Sequence, residues 1–402
     1  MTAPKLRFKE FDGDWNTSKI DEIASVTSGG TPSRGNPEYW DGDIPWVTTS
    51  LVDFNVIHSA EEFITKEGVN NSSAKLFPKD TILMAMYGQG ITRGKVAILG
   101  IEATTNQACC AIKLKDCFDT QFIFQNLMNR YDEIRDLSND GGQKNLSAGI
   151  IKDISINIPS KAEQTKIASF LSAVDEKISQ LTQKHELLSQ YKQGMMQKLF
   201  SQQIRFKADD GSEFGGWEKK ELKTISQIYD GTHQTPNYVE EGVPFYSVEH
   251  VTANNFTKTK FIAEDVYLAE LKRVKLEKGD ILLTRIGDIG TSRLIDWEVR
   301  ASFYVSLALI KVKEKHSSSF VNQYIKSPFF QRELHERTIH VAFPKKINLG
   351  EIGLCVIKVP CLKEQIKIAN FLSAIDQKIE VVAKQIEQAK TWKKGLLQQM
   401  FV

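Results

Sequence analysis

The chain has 402 residues, 41% hydrophobic and 25% charged, which is ordinary for a folded globular protein and long enough for two or three domains that each bury a core. No apolar run reaches the roughly 18 residues of a membrane span, and residues 1–11 lack the apolar core of a secretory signal, so a cytoplasmic location is expected. The formal net charge of +2 is spread as about −5 over residues 1–150 and about +2 over 202–358, so if the chain grips DNA, a basic partner must supply part of the phosphate neutralisation.

From the N-terminus, residues 1–158 read as a first domain. Short β-type runs (44–47, 81–86, 95–99 and 108–114) alternate with turn residues, and one helix is expected over 122–137. The fold class is α+β with a twisted, mostly antiparallel sheet. The turns hold polar side chains suited to base edges or phosphates: Thr31 after Gly29-Gly30, Thr48 and Ser50, Gln89, Thr92 and Arg93, Asn106 and Gln107, and Gln143, Lys144 and Asn145. Neighbouring glycines would allow close backbone approach to a phosphate. The five cysteines, Cys109, Cys110, Cys117, Cys355 and Cys361, form no CxxC pair and are expected to be buried small hydrophobes.

Residues 159–201 read as one long helix. Ile167, Leu171, Val174, Ile178, Leu181, Leu188, Met195 and Leu199 recur at steps of four and three, a coiled-coil seam with polar breaks at His185 and Lys192. About 38 residues at 1.5 Å each give roughly 55 Å, too long to be buried in one small domain.

Residues 202–359 repeat the pattern of the first domain, with strands at 280–286 and 304–312 and a helix over 320–337. Phe214 to Trp217 matches Phe11 to Trp15, Val243 to Tyr246 matches Ile44 to Val47, and Asp280 to Leu283 matches Thr81 to Met84. The candidate readers here are Thr232, His233 and Gln234, Ser247, Glu249 and His250, Arg285 and Asp288, and Lys345 and Lys346.

Residues 360–402 repeat the helix. Segments 159–200 and 360–401 align without a gap and share 18 of 42 residues, so the whole unit is duplicated. The second seam is Ile368, Leu372, Ile375, Ile379, Val382, Ile386, Leu396 and Met400, with a break at Lys393. The two helices are expected to pair antiparallel within the chain, giving a pseudo-twofold; pairing between two chains is the alternative.

Catalytic patterns are missing. No Gly-Lys-Ser/Thr phosphate loop occurs, and the histidines lack metal-ligand spacing. Asn36-Pro37-Glu38-Tyr39 only grazes the Asn-Pro-Pro-Tyr of adenine methyltransferases, with no cofactor-binding βαβ unit before it. An independent methyltransferase would bind S-adenosylmethionine by itself, and a coiled-coil scaffold carrying two ligand modules would show no salt-dependent DNA retention.

Gly29-Gly30-Thr31-Pro32, the run from Tyr39 to Trp46, Ile156-Asn157-Ile158-Pro159, and the Glu-Gln-x-Lys-Ile-Ala-x-Phe-Leu-Ser-Ala segment at 163–173 and again at 364–374 carry a family resemblance. In these the chain resembles the specificity (S) subunits of Type I restriction-modification systems. The second domain departs from the pattern, with Gly231-Thr232-His233-Gln234-Thr235-Pro236 in place of the compact Gly-Gly-Thr-Pro. The resemblance implies two target recognition domains, each reading half of a split DNA sequence, with the paired helices as a ruler. It implies no cofactor on this chain. Two modification subunits would bring S-adenosylmethionine and methylate adenine at N6, and two restriction subunits would cleave DNA with ATP and Mg.

Overall fold

The computed structural model describes residues 4–88, 91–137 and 145–401. It divides into two compact units, one formed by 1–182 with 384–402 and the other by 183–383.

In the first unit, strand Asn16–Lys19 pairs antiparallel with Ser155–Ile158, clasping the start of the domain to its end. Between them lies a five-stranded sheet in the order Ala24–Ser28, Cys109–Leu114, Ile82–Ala85, Val96–Leu99, Val56–Ile57, antiparallel except for the last pairing. Its central strands are buried on both faces, and the period of two shows which face each side chain serves. Ile82, Met84, Val96, Ile98, Cys110 and Ile112 join the larger core, with Phe122, Ile123 and Leu127. Leu83, Ala85, Ala97, Leu99, Cys109 and Ala111 form a second core with Val47 and Ile57. A three-stranded sheet built on Trp40–Val47 completes the domain.

The second unit repeats this plan with changes. Glu218–Glu221 pairs with Val356–Val359. The main sheet runs Ser226–Asp230, Leu307–Val312, Ile281–Ile286, Asp288–Leu294, all antiparallel. Again Ile281, Leu283, Ala308 and Ile310 face one core, while Leu282, Leu307 and Leu309 face the other. The expected helix over 320–337 is two helices, Ser318–Ile325 and Pro328–Arg337. Pro328 disfavours helix at Ser327, whose side chain instead caps the second helix at Phe330 N. The helix expected over 122–137 likewise splits into Thr120–Asn129 and Tyr131–Asp136 at Arg130, the C-cap of the first.

The long helices are Lys161–Phe200, here the central helix, and Leu362–Met400, the C-terminal helix. Each unit holds part of both. In the first unit they run antiparallel: Lys393 Nζ lies 2.6 Å from Asp175 Oδ1, Trp392 packs edge-on against Phe170, and Leu6, close to the start of the central helix, donates from its amide to Gln399 O. In the second, Lys192 Nζ lies 2.6 Å from Asp376 Oδ1. Both lysines that interrupt the seam therefore close ion pairs, and every seam position of the sequence reading is buried or half-buried. Ile167, Leu171 and Val174 also pack on the first domain's core, as Ile368, Leu372 and Ile375 do on the second's, so the seam anchors each helix to its own domain as well.

The repeated Glu-Gln pair explains much of the helix motif. Glu163 accepts a two-pronged bond from Arg7 (2.7 and 2.8 Å), and Glu364 one from Arg205 (3.1 and 2.7 Å). Gln164 donates to Pro159 O and accepts from Asp119 N, while Gln365 donates to Pro360 O and accepts from Ser317 N. Gln125 and Gln323 bond Asp175 and Asp376 in turn. One hydrogen-bond scaffold is thus built twice.

Candidate nucleic-acid interface

Three of the candidate turns of the first domain converge. Gly30 N donates to Thr105 O and Asn106 N to Val47 O, which brings the loops at 29–31, 47–50 and 105–107 side by side. Thr31 hydrogen-bonds Gln107, and Thr48 Oγ1 lies 2.6 Å from Ser50 Oγ. Asn106 Oδ1 is occupied by the amide of Ala108 (3.1 Å), which leaves Gln107 as the exposed amide of that turn. The glycines at 29 and 30 serve packing: a β-carbon at either would collide with Thr105 or Ser73, so their role is close contact within the domain and not approach to phosphate. Thr92 and Arg93 are half-buried in the turn that follows Tyr87, where Ile91 is exposed. Gln89, Gln143 and Lys144 lie outside the described residues; Asn145 is half-buried beside Leu146 of the core.

The second domain places its counterpart loops together in the same way. Thr232 N donates to Phe303 O, Val305 N to Thr232 O and Tyr304 N to Tyr246 O. Gly231 faces Phe303 as tightly as Gly29 faces Thr105. Asp230 is held by His233 Nε2 at 2.6 Å and by Arg273, a cation the sequence reading missed because it lies 43 residues away. Arg273 also donates to Gly231 O at 3.0 Å. Thr232 is buried, while His233 and Gln234 are exposed.

Two expected readers are structural. His250 is buried, accepts from Ser247 N at Nδ1 (2.9 Å) and bonds Lys258 O through Nε2 (3.1 Å), so its ring caps a short helix and has no edge left for a base. Arg285 lies within a strand, not a turn, and donates to Ile347 O (3.2 Å) and Val305 O (2.8 Å); burial lowers its pKa below the ordinary arginine value. Ser247 and Glu249 bond each other at 3.1 Å, with Glu249 exposed. Asp288 and Lys345 do converge: they line a cavity of about 260 Å³ with Gln331, His335, Thr338 and His340. Lys346 is exposed on the same loop.

Of the cysteines, Cys109, Cys110 and Cys355 are buried, which pushes each thiol up to about 12, while Cys117 and Cys361 are exposed, contrary to expectation. Cys117 lies two residues before Asp119, the cap of the helix Thr120–Asn129, and Cys361 lies between Pro360 and the C-terminal helix. Among the described residues no cluster of three His, Cys, Asp or Glu side chains could hold a metal, and no helix is long and apolar enough to cross a membrane.

The sequence pattern of the Type I restriction modification DNA specificity domain matches residues 12–190 and again 215–391. The chain belongs to this family. As a specificity subunit it is the DNA-recognising, non-catalytic component of a Type I system, and such subunits act in complexes with DNA and other subunits. Its relatives include the Type I restriction enzyme MjaIX specificity subunit of Methanocaldococcus jannaschii, 29% identical over 71% of this chain and 70% of the relative. The MjaVIII specificity subunit of the same organism is 26% identical over 97% of this chain and 94% of the relative. The S subunit of the Type-I restriction-modification system from M. genitalium shares the fold, with a TM-score of 0.65 at 19% identity, covering 100% of this chain and 99% of that one.

Proposed function

We propose that this specificity subunit reads a split DNA target, one half-site with each domain, and directs adenine-N6 methylation and restriction by partner subunits. The observation that carries the reading is the doubling itself: the Arg–Glu, Gln–Pro and Lys–Asp bonds recur in both units while the loops that hold the candidate readers differ. A repeated frame with unlike loops suits two recognitions of unlike sequence. Half-sites of about 3 to 5 base pairs whose centres lie about one turn of B-DNA apart, roughly 34 Å, leave an unread spacer of about 5 to 8. The long paired helices would set that spacing.

The same doubling offers equivalent docking surfaces to two modification subunits, which would carry S-adenosylmethionine, and the complex would take two restriction subunits using ATP and Mg. The small net charge fits a chain whose partners add cationic surface. Methylome sequencing of a host expressing this chain with its modification subunit tests the reading. A bipartite methylated-adenine motif is expected; a continuous motif, or none, overturns it.

A further inference from the structure

The loop from Ile339 to Lys346 presents two apolar side chains that the fold leaves uncovered. Phe343 is 103% exposed and Val341 96% exposed, whereas the next most exposed large apolar side chain among the described residues, Ile91, is 67% exposed. The loop is pinned at its base. Ile339 N donates to Lys346 O and Gly287 N to Lys345 O, both at 2.8 Å, while Ile347 N donates to Arg285 O at 3.0 Å. His340 reaches His335 O at 2.9 Å. A phenylalanine held out in water from a fixed foot forgoes the burial that drives folding, so its place is against a partner.

The surroundings define that partner. From Thr338 to Asn348 there is no carboxylate, and Lys345 and Lys346 follow the tip directly, both exposed. At the foot of the loop stands the polar cavity of Asp288, Gln331, His335 and His340. Cations beside an apolar point, next to groups able to meet base edges, match a polyanion with a stacked apolar interior, which is duplex DNA. We propose that Phe343 is a wedge that enters a base step at the second half-site and unstacks it, with Lys345 and Lys346 on the flanking phosphates. This rests on the split-target reading above. The corresponding stretch of the first domain, Ser138 to Asn145, contains no apolar residue, so the device belongs to one half-site.

The test uses the full chain assembled with its modification subunit, and a duplex bearing the motif found by methylome sequencing. 2-Aminopurine, quenched when stacked, is placed at successive positions through the second half-site. Binding is expected to raise its fluorescence severalfold at one step. F343A should return that signal to the free-duplex level and weaken DNA binding roughly tenfold, the scale of one lost base–aromatic stack. Because Phe343 lies wholly in solvent, the melting temperature of F343A should stay at the wild-type value. The wedge is overturned if no position brightens while the complex still binds and methylates, or if F343A binds as the wild type does. It is also overturned if F343A fails to assemble with the modification subunit, which would make the tip a protein contact. Failure of the wild-type complex to bind any motif would instead remove the split-target reading on which the wedge rests.

Discussion

Lys393 of the C-terminal helix lies 2.6 Å from Asp175 of the central helix, and the duplicated pair, Lys192 and Asp376, has the same separation. The lysine side chains are only 14% and 13% exposed. Each carboxylate also accepts from a glutamine of its own domain, Gln125 or Gln323, so the bond joins helix to helix and helix to domain together. Such a half-buried pair favours one register because any slip strands both charges.

Lys393→Met should therefore destabilise the first unit by about 1–2 kcal/mol, mainly by leaving Asp175 without its cation. Adding Asp175→Asn should recover part of the loss, since the neutral amide leaves no uncompensated charge and its oxygen can still accept from the buried Gln125. Urea midpoints of the two variants check this; equal midpoints for Lys393→Met and wild type would show the pair to be neutral.

Glu364→Gln should cost the second unit about 3 kcal/mol, within the range for breaking a buried ion pair. Glu364 is fully buried and takes bonds from Arg205 and from Trp217 Nε1. Chemical denaturation followed by the fluorescence of Trp217 and Trp297 would report the loss.

Lys326 gives a pH signature. Burial, with smaller contributions from Lys192 and Arg293 and against the opposing Asp376, brings its ammonium down to about 8. The unfolded chain holds that proton up to the ordinary value of 10.5, so between about 8 and 10.5 it binds more protons than the native state and stability rises with pH. Below about 8 this half-buried charge is carried by the native state and its full penalty applies. Midpoints measured across this window should climb relative to Lys326→Met, in which the rise is missing.

Arg93→Ala should relax recognition of one half-site by about 1–3 kcal/mol and leave the other intact. Methylome sequencing would show degeneracy confined to one half of the motif. Degeneracy in both halves would count against independent readers.

Under the proposed ruler, seven extra residues in each long helix add about 10.5 Å, or roughly three base pairs of spacer. A methylome motif with unchanged half-sites and a longer gap is the expected result.

Much of this architecture is legible in the chain because it rests on periodicity. The seam from Ile167 to Leu199 and the short β-type run at 81–86 can be read from local sequence alone, and the folded protein keeps both, as the helix Lys161–Phe200 and the strand Ile82–Ala85. What escapes is long-range partnership. Arg7 and Arg205 read as ordinary cations until each is found on a glutamate more than 150 residues away. Lys192 and Lys393 read as interruptions until the facing helix supplies an aspartate. Among the readers, polarity identified residues able to meet a base without saying which were already engaged: His250 and Arg285 are buried on main-chain groups of their own domain, while His233 and Gln107 stay exposed although they bond Asp230 and Thr31, and Gln234 is exposed as well.

Phe401 packs against Phe122 with ring centroids 5.3 Å apart, and the first unit takes its final residues from 384–402. A ribosome releases this chain from the other end, so the second unit, 183–383, has all its parts while the first still lacks the last ones. The domain translated earliest is completed last. A premature stop just before Lys384 would leave the later domain its own residues and strip Leu396, Leu397, Met400 and Phe401 from the core of the earlier one.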